Sequence, residues 1–141
     1  MLFYRFANKF KGMLDRYLKQ LSEELKLPTP PVDDQKRYHV AISDQKIVMR
    51  NLDPGIFFFT EISPVPPHRK EDLCMLLMRA NFLGQGTGGS TIGMTEDERN
   101  LTLSLAIPYE MNYKTFHESL EDFANFVDYW KKEVSKFKHA V

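Results

Sequence analysis

Cysteine is almost absent from this sequence. Its 141 residues include one cysteine, Cys74, so an intrachain disulfide and a C-x-x-C metal or redox motif are both excluded. A single cysteine fits a reducing compartment, and we expect a cytoplasmic protein. The neighbours of Cys74 are leucine and methionine, whereas a reactive thiol needs a positively charged, partly exposed setting. A buried structural cysteine is therefore the simpler interpretation.

Net charge and long apolar runs are lacking as well. Lysine plus arginine and aspartate plus glutamate number 19 each, so no excess charge attracts nucleic acid or anionic lipid, and we expect no nucleic-acid partner. In the first stretch, MLFYRFANKFKGMLDRYLKQL, charged residues interrupt the apolar ones every few positions. Neither a signal-peptide core nor a membrane span fits there.

Patterns typical of catalytic or metal-binding residues are also missing. The four histidines form no H-E-x-x-H motif and no pair four residues apart, which a zinc site on a helix would need. Carboxylate pairs such as Glu23-Glu24 are adjacent, so their side chains point in different directions on a helix. The sequence therefore predicts no metal, no cofactor and no enzyme activity.

One stretch does have a phosphate-binding spacing. In MRANFLGQGTGGSTIGM, the residues Gly84, Gly86 and Gly89 form G-x-G-x-x-G. A dinucleotide site needs a strand before the loop and a helix after it, because the phosphate lies at the helix N-terminus. Here an apolar helix precedes the glycines and a strand follows, which indicates a helix end capped by Gly84 in a left-handed conformation and then a flexible turn. A small nucleotide-binding protein stays as an alternative function.

Two hydrophobic periods indicate the fold. Steps of three and four predict helices at Phe3–Leu25 and Phe116–Phe137. The residues of Glu71–Leu83 also predict a helix, although they leave it almost no polar face. Alternation and turn signals predict strands at Tyr38–Ile42, Ile47–Leu52, Ile56–Ile62, Thr91–Thr95 and Leu101–Ile107. The order helix, three strands, helix, two strands, helix indicates a single α+β domain over residues 1–141, with an antiparallel sheet packed by helices.

Two apolar surfaces exceed what one small domain is expected to cover. The middle helix has almost no polar face from Leu73 to Leu83, and one layer of sheet covers only one side of a helix, so we expect a second subunit on the other side. In the third strand, Phe57 and Phe59 point away from Ile56 and Phe58. Either the terminal helices cover both faces of the sheet, or one face binds an apolar partner segment.

A family resemblance rests on several short motifs in a fixed order. They are Ala80-Asn81, Gly88-Gly89, Ile92-Gly93-Met94, the Leu101–Pro108 strand and the last helix through Trp130. From about Leu73 to Val134 the sequence resembles the type III secretion chaperones of the Tir-chaperone (CesT/SycE-like) family. The resemblance implies a helix-strand-strand-strand-helix-strand-strand-helix protomer that dimerises through the middle helix and adjacent strands. Two departures are the lack of acidic net charge and the proline-rich link at Pro28–Pro31.

The resemblance also implies a function in the bacterial cytoplasm. The dimer, homomeric or formed with a related chaperone, would hold the N-terminal segment of a secreted effector in extended form, soluble and competent for a secretion ATPase. A dimeric interaction or regulatory module that binds a folded partner is the alternative function.

The energetics of holding a disordered segment suggest which residues bind. Ordering it costs roughly 1–2 kcal/mol per residue, and burying one large apolar side chain returns about 1.5–3 kcal/mol. Several anchors are therefore needed, some adding a strand to a sheet edge and some filling apolar grooves. The residues predicted to bind the effector are Phe3, Phe6, Phe10, Phe57 and Phe59, and those predicted at the dimer interface are Leu73, Leu76, Leu77 and Ile92.

Overall fold

In a computed structural model, helices and strands follow one another in the predicted order. The model describes residues 2–84, 86 and 88–137, and the side chains of all of these except 2–11 and 83. The elements are α1 (Leu2–Leu25), β1 (Tyr38–Ile42), β2 (Gln45–Asn51), β3 (Ile56–Pro64), α2 (Lys70–Asn81), a 3-10 turn (Phe82–Gly84), β4 (Thr91–Met94), β5 (Asn100–Ile107) and α3 (Tyr113–Ser135). The predicted α+β fold class is thereby confirmed.

The strands form one five-stranded sheet in the order β1-β2-β3-β5-β4. The β1–β2 hairpin is antiparallel, with Ile42 opposite Gln45 at the turn and Tyr38 opposite Met49 at the far end. Strands β4 and β5 are antiparallel too, with Ile92 opposite Leu103. Consequently β1 and β4 are the two edge strands of the sheet.

The chain folds into two compact units, each assembled from two separate segments. The first unit comprises Met1–Phe58 and Ala106–Glu118, and the second comprises Phe59–Leu105 and Ser119–Val141. The single domain over residues 1–141 stays a prediction.

The core of the first unit is built from one helical stripe and alternate strand residues. Leu14, Leu18 and Leu21 are buried at steps of four and three along α1, as an amphipathic helix requires. The other buried apolar residues of this unit are Tyr38, Val40, Ile47, Met49, Ile56, Phe58, Ile107 and Phe116. The Phe116 ring centroid lies 6.1 Å from that of Phe58 and 5.4 Å from that of Tyr17. Aromatic packing therefore joins α1, β3 and the start of α3.

A polar contact fastens the end of α1 to the start of α3 within the first unit. The Tyr113 hydroxyl donates a hydrogen bond of 2.8 Å to the Glu24 carboxylate. Partial burial, followed by this hydrogen bond, raises the pKa of Tyr113 to about 12. The phenol consequently stays protonated and able to donate at neutral pH.

The second unit has its core between α2, the strands and the main part of α3. Its buried apolar residues are Ile62, Leu73, Leu77, Ala80, Ile92, Leu101, Leu103, Leu120, Phe123, Val127, Trp130, Val134 and Phe137. The α3 members recur at steps of four and three, which confirms the stripe that the sequence predicts for the last helix.

The glycine-rich turn after α2 is packed against this core. Gly84 has a φ of 68°, so the predicted left-handed conformation is confirmed. The residue that caps α2, however, is Phe82 in an extended conformation, and Gly84 ends the 3-10 turn that follows. A Cβ on Gly86 would lie 2.8 Å from the Ala80 Cα, and one on Gly88 would overlap the Phe126 ring. The Trp130 indole N–H donates to the Gly86 carbonyl at 3.1 Å. Close approach to α2 and α3 is therefore what requires Gly86 and Gly88 here, and the flexibility that the sequence predicts for the turn stays a prediction.

Candidate functional site

Helix α2 carries apolar side chains on two opposite stripes, and the described residues cover only one of them. Leu73, Leu77 and Ala80 are buried in the second unit. Met75 and Met78 lie on the other side of α2, and Phe82 follows in the 3-10 turn after the helix. Of their surfaces, 55%, 72% and 66% are exposed. We call these three residues the α2 surface. Monomeric proteins rarely expose contiguous apolar patches of large size, and such patches mark interaction sites.

A side-chain amide ties the end of α2 to the edge strand β4. The Asn81 Nδ2 donates to the Ile92 carbonyl at 2.8 Å, and the Ile92 N–H donates to the Asn81 Oδ1 at 2.8 Å. Asn81 thereby occupies both backbone groups of Ile92, as a neighbouring strand would. The sequence does not predict this contact, because the partner of Asn81 lies 11 positions along the chain and only the fold brings the two together.

Replacing Asn81 by alanine is expected to lower the free energy of unfolding by about 1–3 kcal/mol, because the N–H and C=O of Ile92 both lose their partner. Asn81→Asp keeps the acceptor for the Ile92 N–H but loses the donor to its carbonyl, so we expect a loss in the same range. Urea unfolding measures both effects. Asn125→Ala, at an exposed position of α3, is the control, and an equal loss in Asn81→Ala and Asn125→Ala would contradict this role.

The residues predicted at the dimer interface lie mostly inside the chain. Leu73, Leu77 and Ile92 are buried in the core of the second unit, and Leu76 is half-buried. The side chains that offer apolar area to a partner are those of the α2 surface, on the same helix and in the turn that follows it. The sequence shows that α2 is apolar on both sides, and the packing selects the stripe that stays exposed.

The residues predicted to bind the effector fall on α1 and β3. Phe57 and Phe59 are half-buried, on the side of β3 opposite to the buried Ile56 and Phe58, which confirms the predicted alternation. The Arg50 guanidinium carbon lies 5.3 Å from the Phe57 ring centroid, within the range of a cation–π contact. Phe3, Phe6 and Phe10 belong to α1, but their side chains lie outside the described part of the chain.

The glycine loop follows a helix and precedes a strand, as the sequence predicts. Gly84 ends the 3-10 turn after α2, and the next element is β4. Carbonyl groups of a helix C-terminus therefore face this loop, and they disfavour an anion such as phosphate. Cys74, predicted to be buried, is half-buried on α2. Among the described residues no group of histidine, cysteine, aspartate and glutamate could hold a metal ion, and none of their helices is long and apolar enough to cross a membrane.

Comparison with known proteins gives the family. A Chlamydia pneumoniae protein, CPj0713/CpB0740, is 25% identical over 126 residues, which cover 86% of this chain and 96% of the relative. The ExsC–ExsE complex contains a chain with a TM-score of 0.72 and 14% identity, covering 86% of this chain and 93% of that one. A chain of the HopA1–SchA chaperone–effector complex has a TM-score of 0.69 and 15% identity, with 90% and 97% covered.

A third chain of the same fold comes from the heterodimeric ExoU–SpcU complex of the type III secretion system of Pseudomonas aeruginosa. Its TM-score is 0.60 at 16% identity, with 89% of this chain and 95% of that chain covered. The model of the Tir chaperone protein (CesT) family matches residues 16–131, which is most of the sequence. This chain belongs to the Tir chaperone protein (CesT) family.

Proposed function

We propose that this protein is a type III secretion chaperone that binds the N-terminal segment of a secreted effector or regulator. In this proposal the segment is held in extended form in the bacterial cytoplasm, where it stays soluble and competent for a secretion ATPase. The observation that carries the proposal is the family match over residues 16–131. Chains of the same fold occur in complexes described as chaperone–effector and as part of a type III secretion system.

The working unit in this proposal is a dimer formed through α2. The α2 surface consists of three large apolar side chains, and burying each of them yields about 1.5–3 kcal/mol. In a two-fold dimer the same three residues are buried on both subunits. The half-buried Leu76 adds area at the same helix, while Leu73, Leu77 and Ile92 support the surface from within the chain. A homodimer and a dimer with a related chaperone both fit this surface.

The effector-binding residues in this proposal are Phe3, Phe6, Phe10, Phe57 and Phe59. Phe57 and Phe59 support this part because they leave apolar area on the side of β3 that the core does not use. One such side chain does not offset the ordering of a long segment. We therefore expect recognition by several apolar anchors spaced along the partner.

Phe57→Ala is expected to weaken binding of the effector segment about tenfold to a hundredfold, because one large apolar contact of roughly 1.5–3 kcal/mol is lost. Titration calorimetry with the N-terminal segment of the secreted protein encoded beside this chain measures the change. Tyr109→Ala is the matched control, since Tyr109 is an exposed aromatic residue of the same unit outside the predicted site. Equal affinities of Phe57→Ala and the wild type would exclude Phe57 from the binding surface.

Co-expression and limited proteolysis test the proposal as a whole. A secretion chaperone forms a stable complex with the neighbouring secreted protein. In that complex the bound N-terminal segment of the partner stays unfolded, and the chaperone protects it from protease. A regulatory module of the same fold binds a partner that resists protease before and after binding. Failure to bind any secreted N-terminal segment would overturn the chaperone function, and a thermal shift with nucleotides would favour the nucleotide-binding alternative.

A further inference from the structure

The link between α1 and β1 folds back along the outer edge of β1. Val32 forms an antiparallel bridge with Tyr38. The His39 N–H donates to the Pro31 carbonyl, and the Asp33 N–H donates to the Arg37 carbonyl, both at 3.0 Å. Since β1 is an edge strand with β2 on its other side, residues Pro31–Asp33 lie where a further strand would pair. We call Pro31–Asp33 the edge cover.

The Asp33 carboxylate holds the edge cover in place. Its Oδ1 accepts hydrogen bonds from the backbone N–H groups of Gln35, at 2.8 Å, and Arg37, at 3.0 Å. Its Oδ2 accepts from the Arg37 Nε and from the His39 Nε2, both at 2.8 Å. The His39 hydrogen bond above all, with help from those of Arg37 and Gln35, holds the pKa of Asp33 well below its usual range. The carboxylate is therefore charged at neutral pH and makes charge-assisted hydrogen bonds.

Proline limits how far the edge cover extends. Successive residues of an edge strand direct their backbone groups alternately to the neighbouring strand and to the open edge. The His39 N–H points to the edge cover, so the backbone groups of Val40 point to β2 and those of Ala41 point to the open edge. Pro31 has no N–H with which to continue the ladder. The edge cover thus ends at His39, and Ala41 lies beyond it.

We propose that the edge cover is a built-in occupant of the β1 edge, held by Asp33, which an extended polypeptide must displace to pair along the whole of β1. An uncovered edge strand is a template for pairing with another chain. The edge cover occupies part of the β1 edge through a short, reversible contact and so hinders such pairing there. Two backbone hydrogen bonds and one carboxylate hold it, so it opens more easily than the β1–β2 ladder. The identity of the displacing polypeptide, the N-terminal segment of a secreted effector, rests on the proposed function. The proline-rich link at Pro28–Pro31, which supplies the first residue of the edge cover, thereby has a role.

Amide hydrogen exchange on the free protein tests the edge cover without any partner. The Val40 N–H, directed to β2, reports the β1–β2 ladder, and the His39 N–H reports the cover. We expect the His39 amide to be protected, but to exchange at least about tenfold faster than that of Val40, since a local opening suffices to release it. Equal exchange of the two amides would overturn the proposal, because the cover would then open only together with the sheet.

Asp33→Asn and Asp34→Asn form a matched pair, since both remove one carboxylate from the same exposed turn. Asp33→Asn should speed exchange of the His39 amide about tenfold or more, because two charge-assisted hydrogen bonds are lost. Asp34→Asn should leave the exchange rate unchanged. A rate that does not respond to Asp33→Asn, in a variant with wild-type thermal unfolding, would overturn the role of Asp33.

Binding of the N-terminal segment of the neighbouring secreted protein tests displacement. Asp33→Asn should bind it several-fold more tightly than the wild type, and Asp34→Asn with unchanged affinity, because a looser cover competes less. The Ala41 amide should become protected in the complex. Unchanged affinity together with an unprotected Ala41 amide would overturn displacement. If no secreted segment binds any variant, the proposed chaperone function is wrong. The exchange rates of the free protein then decide by themselves whether the edge cover exists.

Discussion

A glutamate in place of Met78 should convert the proposed dimer into a monomer. Met78 is the most exposed member of the α2 surface, and it lies between Met75 and Phe82 along the chain. Burying a carboxylate without a partner costs several kcal/mol, and a two-fold dimer carries the substitution twice. With every 1.4 kcal/mol corresponding to a tenfold change, we expect the dissociation constant to rise by about 10³-fold or more. Sedimentation velocity at micromolar concentration measures the shift.

The control for this prediction is Asn125→Glu, which adds the same charge at an exposed position of α3 in the same unit. It should leave the dimer intact. A wild-type protein that sediments as a monomer would contradict the dimer itself. A Met78→Glu variant that still sediments as a dimer would place the interface elsewhere than on the α2 surface.

Truncating Phe116 to alanine should cost about 3–5 kcal/mol of unfolding free energy, the range measured for buried phenylalanine. The Phe116 side chain is fully buried and packs against Phe58 and Tyr17. Neighbours on a helix and a strand cannot collapse fully into the space it leaves, so a cavity adds to the loss of apolar burial. Urea unfolding should be measured with and without Phe116→Ala in a protein that also carries Met78→Glu. That background is expected to be monomeric, so association does not contribute to the measured free energy.

Tyr109→Ala removes an exposed aromatic ring from the same unit and should change the unfolding free energy by roughly 0.5 kcal/mol or less. The comparison separates burial from the mere loss of an aromatic ring. Similar losses for Phe116→Ala and Tyr109→Ala would show that Phe116 is not part of a close-packed core.

The element order was accessible from the sequence because hydrophobic period is a local property. Alternation in Leu101–Ile107 and steps of three and four in α3 are set by which face of each element is buried. Element ends were less accessible. The sequence predicts α2 to Leu83, whereas the α-helix ends at Asn81 and Phe82 takes an extended ψ of 113°. The side chain of Asn81, the last residue of the helix, is hydrogen-bonded to β4. A local sequence pattern does not predict that contact.

The candidate site was accessible in part. The sequence shows that α2 has apolar residues on both sides, and it leads to Leu73, Leu76 and Leu77 as interface residues. Which stripe faces the core depends on how α2 is rotated about its own axis against β4. That rotation is a property of the packed unit, and it leaves Met75 and Met78 exposed instead.

By itself the sequence determined the α+β element order, the left-handed conformation of Gly84 and the helix-before-strand arrangement that disfavours a phosphate loop, because each depends on neighbouring residues. Only the tertiary structure decided which stripe of α2 stays exposed, that Asn81 closes the edge at Ile92 and that Pro31–Asp33 covers the edge of β1. These contacts join separate elements, or a loop with the strand that follows it. Their hydrogen-bonding groups meet only when the chain closes the loop between them, and the entropy cost of that closure is offset by the packing of the whole unit.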